Sequence, residues 1–135
     1  MTEEEENWKE KFAQFRALQQ HSEQITEHIQ QLHQQMGELD ISINAISEIS
    51  KTEKDTEILA PLANGIFIKS KLEDNQKLIV NVGADTTVEK TADEVVNLLQ
   101  TQHTKLDEKI IEAESVLHNV QMELMRIYEQ VQTAE

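Results

Sequence analysis

Ile58-Leu59-Ala60-Pro61-Leu62-Ala63-Asn64-Gly65-Ile66-Phe67-Ile68-Lys69-Ser70-Lys71-Leu72 is the stretch that decides the fold. Two apolar, β-prone runs flank Asn64-Gly65. Asn-Gly between such runs is a strong two-residue hairpin signal, because both residues tolerate positive φ. Pro61 cannot donate to a strand ladder, so its strand is expected to be short or to lie at an edge. A second pair follows: Leu78-Ile79-Val80-Asn81-Val82, then Thr86-Thr87-Val88-Glu89-Lys90, with Gly83-Ala84-Asp85 as the turn. Glu73-Asp74-Asn75-Gln76 joins the two hairpins. The β-rich insert spans residues 57–90.

On either side of the insert the period changes from two to 3.5. Before it, the a and d positions of a heptad read Trp8, Lys11, Phe15, Leu18, Ser22, Ile25, Ile29, Leu32, Met36, Leu39, Ile43, Ile46 and Ser50. Ten of these thirteen are apolar in a chain that is only 38% hydrophobic. After it they read Val96, Leu99, His103, Leu106, Ile110, Ala113, Leu117, Val120, Leu124, Ile127, Val131 and Ala134, with His103 the one polar member. Such a sustained repeat predicts two helices that wind around a partner. The nearest partner for each is the other. The insert reverses the chain, so an antiparallel coiled coil is expected.

Capping signals mark both helix starts. Thr2 precedes Glu5 by three residues and Thr91 precedes Glu94 by three, each a possible capping box. Glu3 to Glu6 also sit well at the positive end of a helix dipole. The first helix is expected to run to about Lys54 (~75 Å) and the second to about Gln132 (~60 Å). Gly37 falls at a b position, outside the seam.

The fold class is therefore mainly α: a long antiparallel helical hairpin with a central insert of two β-hairpins. The whole chain, 1–135, reads as one domain in three segments, 1–56, 57–90 and 91–135. Charge follows the segments. Residues 1–56 carry 12 acidic and 5 basic side chains, the insert 5 and 4, and residues 91–135 carry 9 and 3, which sums to the net −14. The acidic helices disfavour phosphate backbones and anionic membranes, so no nucleic-acid or membrane partner is expected. There is no cysteine, hence no disulfide or thiol chemistry. No apolar run approaches the roughly 20 residues needed to cross a bilayer. The N-terminus is acidic where a secretory signal is basic. The expected location is cytoplasmic.

Catalytic chemistry finds no foothold. His21, His28 and His33 lack the i, i+4 spacing of a helical zinc pair, His118 stands alone and His103 is in the seam. No Gly-rich phosphate loop occurs, and a coiled coil offers no pocket for a nucleophile. No enzyme activity, cofactor or metal is expected. Instead, two hairpins with open edges and an uncovered face need covering. That predicts an oligomer assembled through the insert, its edges paired or closed into a barrel, by Ile58, Leu62, Ile66, Phe67, Ile68, Leu78, Val80, Val82 and Val88.

The chain resembles the prefoldin family, specifically its α class. The residues that carry the resemblance are Leu59-Ala60-Pro61-Leu62, Ile66 to Leu72, Leu78-Ile79-Val80-Asn81-Val82-Gly83 and Val88 to Glu94. Two hairpins rather than one point to the α class over the β class. One departure stands out: family members often carry a second Gly two residues after Gly83, then aromatics, where this chain has Asp85, Thr86 and Thr87. The resemblance implies an ATP-independent holdase. Two α and four β subunits would build a double β-barrel from which six coiled-coil arms hang. The arm tips would hold non-native proteins and deliver them to a group II chaperonin.

The residues themselves speak to such a role. Phe12 and Tyr128 fall at e positions, Met122 at f and Met125 at b, all outside the seam and close to the chain ends. Trp8 and Phe15 belong to the seam but lie where a coil frays. Met is unbranched and polarizable, which suits contact with unlike sequences. These six, Trp8, Phe12, Phe15, Met122, Met125 and Tyr128, are the candidate client-binding residues. Two readings stand side by side for the four outside the seam: contact with clients, or a widened seam. A rival function for the whole chain is a scaffolding coiled coil in a different prefoldin-like complex.

Overall fold

A computed structural model describes residues 2–133. The element order is α1 (Glu3–Lys51), β1 (Glu57–Ala63), β2 (Ile66–Lys71), β3 (Lys77–Gly83), β4 (Thr86–Thr91) and α2 (Ala92–Thr133). Both helix starts are capped at the expected residues. Thr2 Oγ1 accepts from the Glu5 N–H (3.3 Å) and Thr91 Oγ1 from the Glu94 N–H (3.1 Å). Each hydroxyl satisfies a first-turn donor that no helical carbonyl can reach.

The heptad reading carries through to burial. From Lys11 to Ser50 all twelve a and d residues of α1 are buried or half-buried, and so are the eleven of α2 from Val96 to Val131. Leu32, Ile110, Val120 and Ile127 are the best covered of them. Ala134, also assigned to the seam, lies outside the described residues. Trp8 departs from the pattern: it is 41% exposed despite its a position. It stacks along its own helix on Phe12.

Two compact units share the helices: Met1–Met36 with Lys105–Glu135, and Gly37–Thr104. The sequence divides where the secondary structure changes, whereas the units follow which segments pack together. Within the first unit, Phe15 meets Tyr128 and His33 Nε2 lies 3.9 Å from Glu114. Positions rise along α1 as they fall along α2, so the pair is antiparallel. Within the second, the seam residue His103 places Nε2 3.1 Å from Asp40 Oδ1 on the facing helix. A polar seam residue with one specific partner sets register at a cost in apolar burial.

The hairpins in the second unit are two separate two-stranded antiparallel sheets. The second repeats the register of the first, Ile58↔Ser70 matching Leu78↔Lys90 and Pro61↔Phe67 matching Asn81↔Thr87. Each register shifts once at the same place, after Pro61 in one and after Asn81 in the other. The anchoring bonds repeat as well: the Leu72 N–H donates to the Thr56 carbonyl (3.0 Å), and the Ala92 N–H to the Gln76 carbonyl (2.8 Å). Leu72 and Ala92 are both buried.

The turns differ from expectation. In the first hairpin only Gly65 takes positive φ (74°). Asn64 does not, so the Asn-Gly pair is not the doubly positive turn its sequence favours. In the second hairpin, Ala84 (φ 50°) and Asp85 (φ 57°) are both positive, although neither is Gly. Gly83 belongs to β3 rather than to the turn. It sits at the register shift with φ 114°, and its N–H donates to Asn81 Oδ1 (2.9 Å).

Candidate interaction surfaces

Among the described residues, two surfaces expose several large apolar side chains together, one in each unit. The first is where the helix termini pair. The Trp8 and Phe12 rings lie one turn apart, 5.4 Å between centroids and only 8° from parallel. The Arg16 guanidinium sits 5.7 Å from the Phe12 centroid, one further turn along. That separation is within cation–π range. Phe15, half-buried in the seam, faces Tyr128 of α2 at 6.4 Å. Tyr128 Oη accepts from Gln132 Nε2 at 2.8 Å.

Burial sorts the six candidate residues. Phe15 is half-buried and belongs to the seam. Trp8, Phe12, Met122, Met125 and Tyr128 are all exposed, Met125 most at 65%. The f and b positions turn Met122 and Met125 away from the partner helix, and the e positions place Phe12 and Tyr128 on the flank of the seam. Beside the Met pair, Glu123 and Arg126 form an ion pair one turn apart. The hydrogen bond from Arg126 holds the Glu123 carboxyl below its ordinary range, and Glu123 raises the guanidinium in turn. A cleft of about 780 Å³ opens at the same end, with Glu4, Glu5, Trp8, Lys9, Lys11 and Val131 in its lining.

The second surface is the hairpin pair. Of the nine residues expected there, Ile58, Leu78 and Val80 are half-buried within the unit, while Leu62, Ile66, Phe67, Ile68, Val82 and Val88 are exposed. Two more lie outside the expected set: Leu59, 62% exposed, and Ile79, 68% exposed. Strand alternation is the signal that reveals them, because they point away from Ile58 and Leu78 and are themselves apolar. The first hairpin thus carries apolar side chains on both faces, with Ile66 and Ile68 on one and Leu59, Pro61 and Phe67 beside Lys69 on the other. The second is apolar on one face, Val80 and Val88. Its other face carries Asn81, Thr87 and Glu89 beside Ile79.

The segment joining the hairpins does more than connect them, because it also finishes α1. Asn75 Nδ2 donates to the Thr52 carbonyl (2.9 Å) and Gln76 Nε2 to the Ser50 carbonyl (3.1 Å). These are carbonyls left without helical partners at a C-terminus. Asp74 Oδ1 accepts from the N–H groups of Gln76 (2.8 Å) and Lys77 (3.1 Å). That pair of bonds fixes the bend that aims both amides. Among the described residues, none of the helices is long and apolar enough to cross a membrane. None of the described His, Asp and Glu residues form a group of three or more that could hold a metal ion.

Comparison with known proteins agrees with this architecture. The prefoldin subunit family model matches residues 18–135, so the chain belongs to the prefoldin family, whose members are chaperone subunits. Within it the chain is of the α class. It is 29% identical to the prefoldin subunit alpha of Thermofilum pendens over 71% of this chain and 74% of that one. Over 87% of this chain and 89% of the other, it is 27% identical to the prefoldin subunit alpha of Methanocorpusculum labreanum. The fold is also that of the filamentous prefoldin from Methanocaldococcus jannaschii, with a TM-score of 0.74 at 18% identity over 84% of this chain and 94% of that chain.

Proposed function

We propose that this chain is the α subunit of a cytoplasmic hetero-oligomeric prefoldin, two α and four β. It captures non-native polypeptides at its paired helix termini, without ATP, and passes them to a group II chaperonin. The observation that carries the reading is the exposure of Trp8, Phe12, Met122, Met125 and Tyr128 together in one unit. Scattered exposed apolar residues are ordinary, but a clustered set of aromatics and methionines marks a contact surface. Stacked, amphipathic rings and flexible thioethers suit many partners rather than one. Binding by one such surface is weak, and several arms on one client raise avidity. The exposed hairpin faces are where the other subunits close the sheet edges. The acidic helices keep a loaded complex soluble.

Phe12→Glu combined with Met125→Glu tests the reading. Both side chains lie outside the seam, so assembly and helicity persist while suppression of client aggregation weakens. Undiminished suppression would remove the surface from the mechanism and favour a spacer role. Native mass spectrometry of the complex tests the stoichiometry. Two copies with four one-hairpin chains fit the proposal, and an open-ended assembly of this chain alone does not.

A further inference from the structure

We propose that the cleft at the paired helix termini receives a cationic side chain, arginine best, from the polypeptide held there. Clients would then be selected for apolar segments that carry Arg or Lys. The proposal rests on the reading of this surface as the client-holding end.

Three observations converge on it. The cleft combines an aromatic wall, Trp8, with two carboxylates, Glu4 and Glu5, one turn N-terminal to it. Trp is the best aromatic partner for a guanidinium, and carboxylates give the charge-assisted hydrogen bonds that a guanidinium seeks. The chain already makes both contacts with its own arginines. Arg16 lies over Phe12, the ring on which Trp8 stacks, and Arg126 pairs with Glu123. A client arginine over Trp8 would extend the same ladder by one step. Beyond the lining of the cleft, the unit as a whole is acidic. Each of the two segments of this unit, residues 1–36 and 105–135, carries seven acidic and three basic side chains, a net −8 for the unit. Two of those six basic groups are the arginines just described. Lys9 and Lys11 also line the cleft, but Lys11 is half-buried at its seam position. Lys9 follows Glu5 by four residues, the favourable order for a pair along one helix.

Trp8 is the chain's single tryptophan, so its fluorescence reports the cleft directly. The full-length chain is titrated with a short apolar peptide bearing one central arginine. It is then titrated with the same peptide bearing citrulline, the neutral isostere. The arginine peptide should perturb Trp8 emission and bind about five-fold tighter or more, with the difference shrinking at high salt. Glu4→Gln with Glu5→Gln should shrink the arginine preference and its salt dependence, leaving the smaller share that the Trp8 ring supplies. Equal affinity for the two peptides on the unmodified chain overturns the cation site and leaves the holding surface intact. Should neither peptide bind while the chain still suppresses aggregation, the cleft is excluded from client binding. Should suppression be absent as well, the holding function falls with it.

Discussion

Asn75 Nδ2 donates to the Thr52 carbonyl across 23 residues of chain, at 2.9 Å. The link between the hairpins therefore finishes the helix that precedes both of them. α1 stops at Lys51, three residues before the expected Lys54, where Asp55 turns at φ 68° and its N–H reaches the Leu72 carbonyl at 2.8 Å. Losing Asn75 strands a part-buried carbonyl. Asn75→Ala should cost about 1 kcal/mol of stability. Hydrogen exchange should rise in the last turn of α1 and not in α2. Exchange that stays flat there would deny the cap any weight.

Acid should loosen the same corner. The Gln76 N–H, then the Lys77 N–H, and then the charges of Lys54 and Lys77 pull the Asp74 carboxyl below its ordinary value of 3.8. A depressed folded value means stabilisation that is complete above the unfolded value and disappears as pH falls through the folded one. The stability gap between the native chain and Asp74→Asn should thus be widest at neutral pH and close as pH falls below about 3.8. Carboxyl chemical shifts followed by NMR would place the Asp74 midpoint. A midpoint at or above the ordinary value would contradict the geometry.

The hairpin turns should respond in opposite directions to small substitutions. Ala84 holds φ 50° against the preference of an L residue. Ala84→Gly should therefore stabilise by about 1 kcal/mol. Gly65 holds φ 74° in open space. Gly65→Ala should destabilise by a similar amount through backbone strain alone. Thermal unfolding of the two variants checks the pair. A destabilised Ala84→Gly would mean that lost chain entropy outweighs relief of strain.

Assembly should depend more on the first hairpin than on the second. Phe67→Asp replaces the bulkiest apolar side chain of a face that also holds Leu59 and Pro61 beside Lys69, while Thr87→Asp at the equivalent position adds a charge to a face that already carries Asn81 and Glu89. Sedimentation velocity should show the first variant as small species with intact helicity and the second still assembled. Equal behaviour of the two would mean that both faces are covered alike.

Much of this architecture was readable from periodicity. Every described seam position from Lys11 to Ser50 and from Val96 to Val131 is covered, because a 3.5-residue repeat admits one buried stripe. The caps at Thr2 and Thr91 were readable because hydroxyl chemistry at that spacing is local. The turn conformations were not: beside equivalent register shifts, Asn64-Gly65 has one positive φ and Ala84-Asp85 has two. Local preference at two residues is weaker than a ladder on each side. The capping by Asn75 and Gln76 was equally hidden, because long-range side-chain contacts leave no spacing to read. At the helix termini, the e, f and b positions announced Phe12, Met122, Met125 and Tyr128. The exposure of Trp8 did not follow from its a position.

The correspondence between the hairpins was invisible as identity, since Ile58 to Lys71 and Leu78 to Thr91 match in character at several positions and in residue at none. It makes the insert modular. The Thr56 carbonyl receives Leu72 as the Gln76 carbonyl receives Ala92. Excising residues 57–76 would therefore bring Thr56 to the position of Gln76 and let the Ala92 N–H close on it. The shortened chain would pass from helix through a single hairpin to helix with its heptads untouched. On this backbone, one period of sequence separates a two-hairpin subunit from a one-hairpin one.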